Sequence, residues 1–308
     1  MIDVAFRRIS QWLDEPVSTL RIEIVRVLAP PIVLAFMSAR IAHVGEWIGD
    51  AGFRVPDLGD DWRQPLYVPA LPMWAADTIG VLMVASGLAV MLGVRTRPSA
   101  LVFAATLAFV ALSDRLAAFT VSKLSPAIIL AVALSPAGSR LGIDAYWKRR
   151  HGGKRPKKLK PVGATRFLQL LPVVMYSASG IAKARGDWLS VPLVLWSQLH
   201  SSLQTPIAFA LATVLPAWTW TLFQGLVLAF EVFAPLWFGL RRTRPFALVF
   251  GLGMHAMIGL MFGPVIWFAL LMMTLLVAGY LPERFLVPVE AVVKRWEKKP
   301  AAKKATVE

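Results

Sequence analysis

Between Tyr176 and Trp188 the chain reads "YSASGIAKARGDW". A nearly uncharged run of small and apolar residues ends there in Lys183 and Arg185, with Asp187 and Trp188 directly after. An amine held among apolar side chains is favoured in its neutral form and then serves as a base. The plainer alternative is that Lys183 and Arg185 snorkel to lipid headgroups from a helix end. His255, set in "GLGMHAMIGLMF", has no such escape, and is either a satisfied structural histidine or a functional one. Glu231 lies in the middle of "LAFEVFAPLWF" and must be protonated or paired. Arg26 is either its partner or reaches headgroups. These types point to proton transfer, with Lys183 and His255 as the catalytic candidates. Asp187, Trp188, Arg185 and Lys123 are the candidates for holding a ligand. Glu231 and Arg26 are expected to be structural polar residues inside the membrane, and no metal-ligating constellation stands out.

Such residues need elements to position them, and the composition says which. Hydrophobic residues make up 57% and charged residues 17%, against about 45–50% and about 25% in soluble domains. The excess lies in long runs, so the expected fold class is all-α: a polytopic transmembrane helix bundle of about eight spans. A crossing needs about 20 apolar residues. The candidate spans are Ile22 to Ala39, Trp74 to Leu92, Ser99 to Phe119, Val121 to Ala137, Ala164 to Ala182, Trp218 to Leu240, Phe246 to Phe262 and Val265 to Leu281. Ile207 to Leu215, between Pro206 and Pro216, is too short to cross and is expected to be re-entrant or interfacial. Residues 1–21 read as an interfacial amphipathic segment, with Phe6, Ile9 and Leu13 at helical spacing opposite Arg7, Arg8 and Gln11. Its Asp14 and Glu15 argue against a cleavable signal peptide. Residues 22–284 form the transmembrane domain and 285–308 a basic cytoplasmic tail, whose Lys/Ala-rich end is expected to be disordered.

The loops orient this arrangement. Arg95 and Arg97, the "YWKRRHGGKRPKKLK" run, Arg241, Arg242 and Arg244, and the tail all fall on even-numbered connections. Arg40 to Met73 carries more acid than base, and Gly263–Pro264 is uncharged. This alternation predicts cytoplasmic N- and C-termini in a bacterial inner membrane. It also explains the net charge of +15 without nucleic acid. Asp77, Asp114, Arg115, Lys123, Lys183, Arg185 and Asp187 then fall in one outer layer, with His255 roughly 12 Å below the outer end of its span. A charge within the membrane costs at least about 2.5–3.5 kcal/mol, so such residues usually face the bundle interior. The absence of cysteine excludes disulfides and thiolate chemistry.

The segment "YSASGIAKARGDWLSVPLVLWSQL" resembles the hallmark of the vitamin K-dependent γ-carboxylase-like membrane domain, also called the horizontally transferred transmembrane (HTTM) domain. There a small-residue span ends in Lys, followed by a polar residue and Trp. Glu231, the "RRTRP" turn and "GLGMHAMIGLMFGPVIWFALLMM" resemble the family's Glu, basic loop and His-bearing span. "SDRLAAFTVSKLSPAIILAVALSPAGSRLGIDAYW" is similar to its fourth span. The resemblance implies an outward-facing site in which Lys183 deprotonates a reduced quinone of the vitamin K type. Oxygen then converts that hydroquinone into a strong base, which takes the γ-proton of a glutamate before CO2 adds. Water must be excluded from such a site.

This sequence departs from the carboxylase pattern in three places. Ala182 stands where the carboxylase has a second lysine. Ser122 and Lys123 are the nearest polar residues to a histidine the enzyme carries near the start of span four. Only residues 285–308 follow the spans, where the carboxylase has a large soluble domain for peptides, so peptide carboxylation is not expected. Two functions compete. One is a carboxylase-like protein binding a lipid-soluble quinone or related ligand, with Lys183 as general base. The other is a non-catalytic assembly, maturation or export protein that keeps the fold and meets a partner protein outside the membrane. Membrane lipids are partners in both. A transporter is a weaker third reading, since no inverted repeat is evident.

Overall fold

The computed structural model describes residues 11, 15–52, 68–113, 119–151, 159–161 and 163–297. Most of the predicted interfacial helix, the Asp114–Arg115 step, Gly152 to Lys158 of the basic run and the Lys/Ala-rich end lie outside the described residues.

The fold is all-α and polytopic, and almost every predicted span has its helix. Long helices are α1 (Leu20–Ala42), α3 (Met73–Leu92), α4 (Thr96–Ser113) and α7 (Gly163–Arg185). Short α2 (Val44–Trp47), α5 (Thr120–Ala133) and α6 (Ile143–Arg150) lie among them. The chain continues through α8 (Val194–Leu199), α9 (Pro206–Val214), α10 (Ala217–Val232), α11 (Ala234–Gly239), α12 (Arg244–Met261), α13 (Ile266–Tyr280) and α14 (Glu283–Glu297). Six helical segments among the described residues are long and apolar enough to cross a membrane: α1, α3, α4, α7, α12 and Gly263–Tyr280. This differs from the predicted eight in two places. The fourth span is the shorter apolar α5, of 14 residues. The sixth breaks at Phe233, because Pro235 has no N–H to give the carbonyl of Glu231 four residues back. The predicted re-entrant piece is α9, which meets α10 at 117°. Pro206 stands at its first turn, and the Thr205 hydroxyl accepts from the Ala208 N–H at 3.2 Å.

The chain divides into two compact units: Met1–Leu34, Ser38–Thr165 and Pro282–Glu308 form one, and Ala35–Met37 with Arg166–Leu281 the other. A short antiparallel pair, β1 (Pro16–Ser18) with β2 (Leu159–Pro161), belongs to the first unit and sets Val17 opposite Lys160.

The first unit buries a network of charges. Glu23 and Arg26, three residues apart on α1, pair at 2.7 Å with almost no exposure on either side chain. Arg26 Nη1 also donates to the carbonyls of Val90 (2.8 Å) and Met91 (2.6 Å). A cation therefore caps the end of α3, where Gly93 turns the chain at φ 72° and its own N–H bonds back to the Val90 carbonyl at 3.1 Å. Arg26 is thus not the partner of Glu231, and it does not reach headgroups: a nearer acid and a nearer helix end take it. The other carboxylate oxygen of Glu23 accepts from the Arg140 N–H at 3.0 Å. Arg140, fully buried, grips Glu290 of α14 through two hydrogen bonds of 2.6 and 2.8 Å. The start of the predicted tail is therefore a helix bound by an ion pair.

Candidate functional site

The candidate site lies in the second unit and grows from one face of α7. Tyr176, Gly180 and Lys183 recur at spacings of four and three, so they stack along one side of the helix. Gly180 lets α10 approach closely: a Cβ there would stand 2.6 Å from the Val232 nitrogen and 3.0 Å from Glu231 Cβ. That closeness brings Lys183 Nζ to 2.6 Å from Glu231 Oε1. The lysine side chain is 24% exposed and the glutamate 7%, so the pair is largely shielded. The acid that had to be protonated or paired is paired. Its second oxygen, Oε2, has no hydrogen-bond partner among the described residues.

Trp188 supplies a further contact, with its ring 4.5 Å from Lys183 Nζ. An ammonium is attracted to the indole face at this distance. Lys183 and Trp188 both line an apolar cavity of about 660 Å³. The rest of its wall comes from α8 (Leu195, Gln198), α9 (Leu211), α10 (Trp220, Phe223, Val227) and α12 (Phe250, Met254, Met257, Met261), with Phe268 from α13. Met254, Met257 and Met261 fall on one stripe of α12. Methionine adapts its shape and its sulfur contacts aromatic rings favourably, so this wall suits a flat apolar guest. Gln198 and Lys183 are the strongly polar side chains of the lining, a balance usual for sites that bind small apolar molecules with a few polar anchors. Trp220, nearly fully buried in this wall, has an indole N–H without a partner among the described residues.

His255 lies elsewhere in the same unit. It is 1% exposed, and its Nε2 is 2.7 Å from the Tyr176 hydroxyl. Phe230, Phe238 and Phe268 pack around this pair. His255 does not line the cavity. Tyr176 precedes Lys183 by seven residues, or about 10 Å along the helix, so α7 carries two polar pairs one above the other. Arg185 and Asp187 are exposed and contribute nothing to the cavity wall. Lys123 belongs to the first unit, exposed on the first turn of α5.

Two functional neighbours escaped sequence reasoning. Tyr176 opens the motif but reads as a bland aromatic. Gln224, 3% exposed, spends its whole amide on the segment after Lys183. Its Nε2 donates to the carbonyls of Trp188 (2.8 Å) and Val191 (2.9 Å), and its Oε1 accepts from the Leu195 N–H at 3.1 Å. A signal was present, because Gln224 and Glu231 are seven apart on an otherwise apolar helix and share a face.

No curated protein and no solved structure matches this chain. A family model described as HTTM domain matches residues 62–279, which is most of the chain and includes α3 to α5, the Lys183 segment, Glu231 and the His255 helix. The chain is therefore an integral membrane protein belonging to the HTTM domain family.

Proposed function

We propose that this protein binds a lipid-soluble, ring-bearing ligand of the quinone type in the cavity of the second unit, with its polar end at Lys183. The observation that carries the reading is the cavity: an apolar, methionine- and aromatic-lined space of about 660 Å³ with an ammonium in its wall. The residues present fit such a ligand, since Lys183 donates hydrogen bonds and the wall accepts a flat ring. A bound hydroquinone would supply reducing equivalents and, with O2 and CO2, the carboxylase-like chemistry of the family resemblance. The chain's own part is to hold and move a proton. Lys183 acts as a base only after losing its proton, and Glu231 Oε1 at 2.6 Å is the group placed to take it. Trp188 and the apolar wall keep water from the amine. The same reading has the transmembrane domain at residues 22–284 and both termini cytoplasmic, supported by the alternation of basic loops.

A second reading has its own support. The Lys183–Glu231 pair is tied to a close helix contact at Gly180, as a purely structural feature would be. The protein would then be a non-catalytic assembly or export component. Tryptophan quenching by phylloquinone, oxidised and dithionite-reduced, separates the two in lipid nanodiscs. Saturable quenching in wild type, lost in Lys183→Ala and in Lys183→Ala/Glu231→Leu, supports the ligand site. The double variant leaves no orphaned carboxylate and so controls for folding. Equal quenching in all three removes Lys183 from the site, and no saturable quenching in folded wild type ends the cofactor reading.

A further inference from the structure

We infer that Gln224 is a positioning residue whose amide pins the segment from Trp188 to Leu195 as a releasable wall between the lipid and Lys183. The segment joins α7 to α8 and contributes Trp188 and Leu195 to the cavity. Its outer side is apolar and exposed, with Leu189 71%, Val191 46% and Leu193 37% accessible. In a membrane protein such a surface faces acyl chains rather than water. On the inner side, its backbone meets Gln224 through the bonds to Trp188, Val191 and Leu195. All three use one buried side chain, so a single rotamer change frees the segment's inner anchors together. Inside a low-dielectric interior these bonds are strong while made, and their groups are costly when orphaned, which favours two discrete states over gradual loosening.

The placement on α10 adds a consequence. Gln224 and Glu231 lie on the same face, two turns apart. One rigid helix thus holds both the counter-ion of Lys183 and the clamp on Trp188, whose ring covers the ammonium. Release of the clamp uncovers Lys183 toward the bilayer without disturbing the ion pair. The route suits a ligand that arrives laterally from lipid, and in this respect the inference rests on the proposed ligand site. The gate itself is testable without any ligand.

The chain contains no cysteine, so single thiols report local access. Val227→Cys places a thiol in the cavity wall, and Leu276→Cys places one at a fully buried position of the same unit. Each is combined with Gln224→Leu or Gln224→Glu, and N-ethylmaleimide labelling is followed in nanodiscs. Gln224→Leu removes all three bonds and is expected to speed labelling at position 227 at least about tenfold, with position 276 still protected. Gln224→Glu is expected to fall between, because a neutral carboxyl still accepts from Leu195 N–H but has one O–H to give to only one of the Trp188 and Val191 carbonyls. Unchanged labelling at 227, or equal acceleration at 276, overturns the gate. Accelerated labelling at 227 in a protein that never quenches with phylloquinone leaves the gate standing and removes the ligand reading.

Discussion

Replacing Lys183 with Met while Glu231 is kept tests the core of the site most directly. At 2.6 Å and an effective dielectric of about 20, the attraction between the two charges is roughly 6 kcal/mol before desolvation is subtracted. Desolvation consumes much of that, so the net worth of the intact pair is small. Breaking it is different, because one charge is left buried without a partner, at about 3–5 kcal/mol. The two single variants should not be equal. Lys183→Met strands a carboxylate that is 7% exposed and already has one unpartnered oxygen, so it belongs at the upper end. Glu231→Leu strands an ammonium that is 24% exposed and keeps the Trp188 ring, so it belongs at the lower end. Lys183→Met/Glu231→Leu removes both charges and should cost less than either single variant. The assay is the thermal midpoint of each variant in one detergent, followed by helical circular dichroism. Additive losses in the double variant, or a neutral Lys183→Met, would refute the shielded pair on which the chemistry proposed for Lys183 depends.

Three further outcomes follow from the same geometry. Glu290→Gln should destabilise by more than about 1 kcal/mol, because it takes the negative charge from the two-bonded contact with fully buried Arg140. Glu283→Gln, seven residues earlier on α14 and 66% exposed, should cost about 0–1 kcal/mol; thermal midpoints of the two variants check the contrast. Tyr176→Phe leaves both ring nitrogens of His255 without a partner among the described residues and should lower stability by about 1–3 kcal/mol, read in the same assay. Gly180→Ala drives a methyl into the backbone of α10 and should cost about 1–3 kcal/mol. Gly253→Ala, with open space around its Cβ, should be neutral or stabilising by up to about 1 kcal/mol. Equal midpoints for the two glycine variants would contradict the close helix contact.

What the sequence disclosed follows the range of the interactions. Span positions were legible to within a few residues because each depends on its own run of apolar residues. Lys183, Trp188 and Glu231 were legible as unusual, since a charge inside such a run is conspicuous by itself. Their mutual contact was not, because it depends on which faces of α7 and α10 meet. The Arg26–Glu23 pair has a spacing of three, but the sequence alone does not choose between Glu23 and a distant acid such as Glu231 as the partner of Arg26. Arg140 and Glu290 are 150 residues apart, and nothing local ties them together. Gln224 was missed for a different reason: an amide in an apolar helix carries no charge to attract notice, although its cost when unsatisfied is of the same kind.

The run of small residues before Lys183 now has a physical meaning. A lysine at a helix end, with only lipid beside it, would extend its head toward water. Here the neighbouring helix is close enough that Glu231 meets the amine first, and Gly180 is what permits that approach. The motif is therefore a spacing device as much as a chemical one: glycine sets the distance between helices, and the lysine three residues later lies across the gap it creates. Tyr176, four residues before the glycine, uses the same face to reach His255 on α12. Glycine at 180 thus makes possible a shielded acid–base pair at the cavity edge, and no lysine at position 183 would achieve this if the helices stood apart.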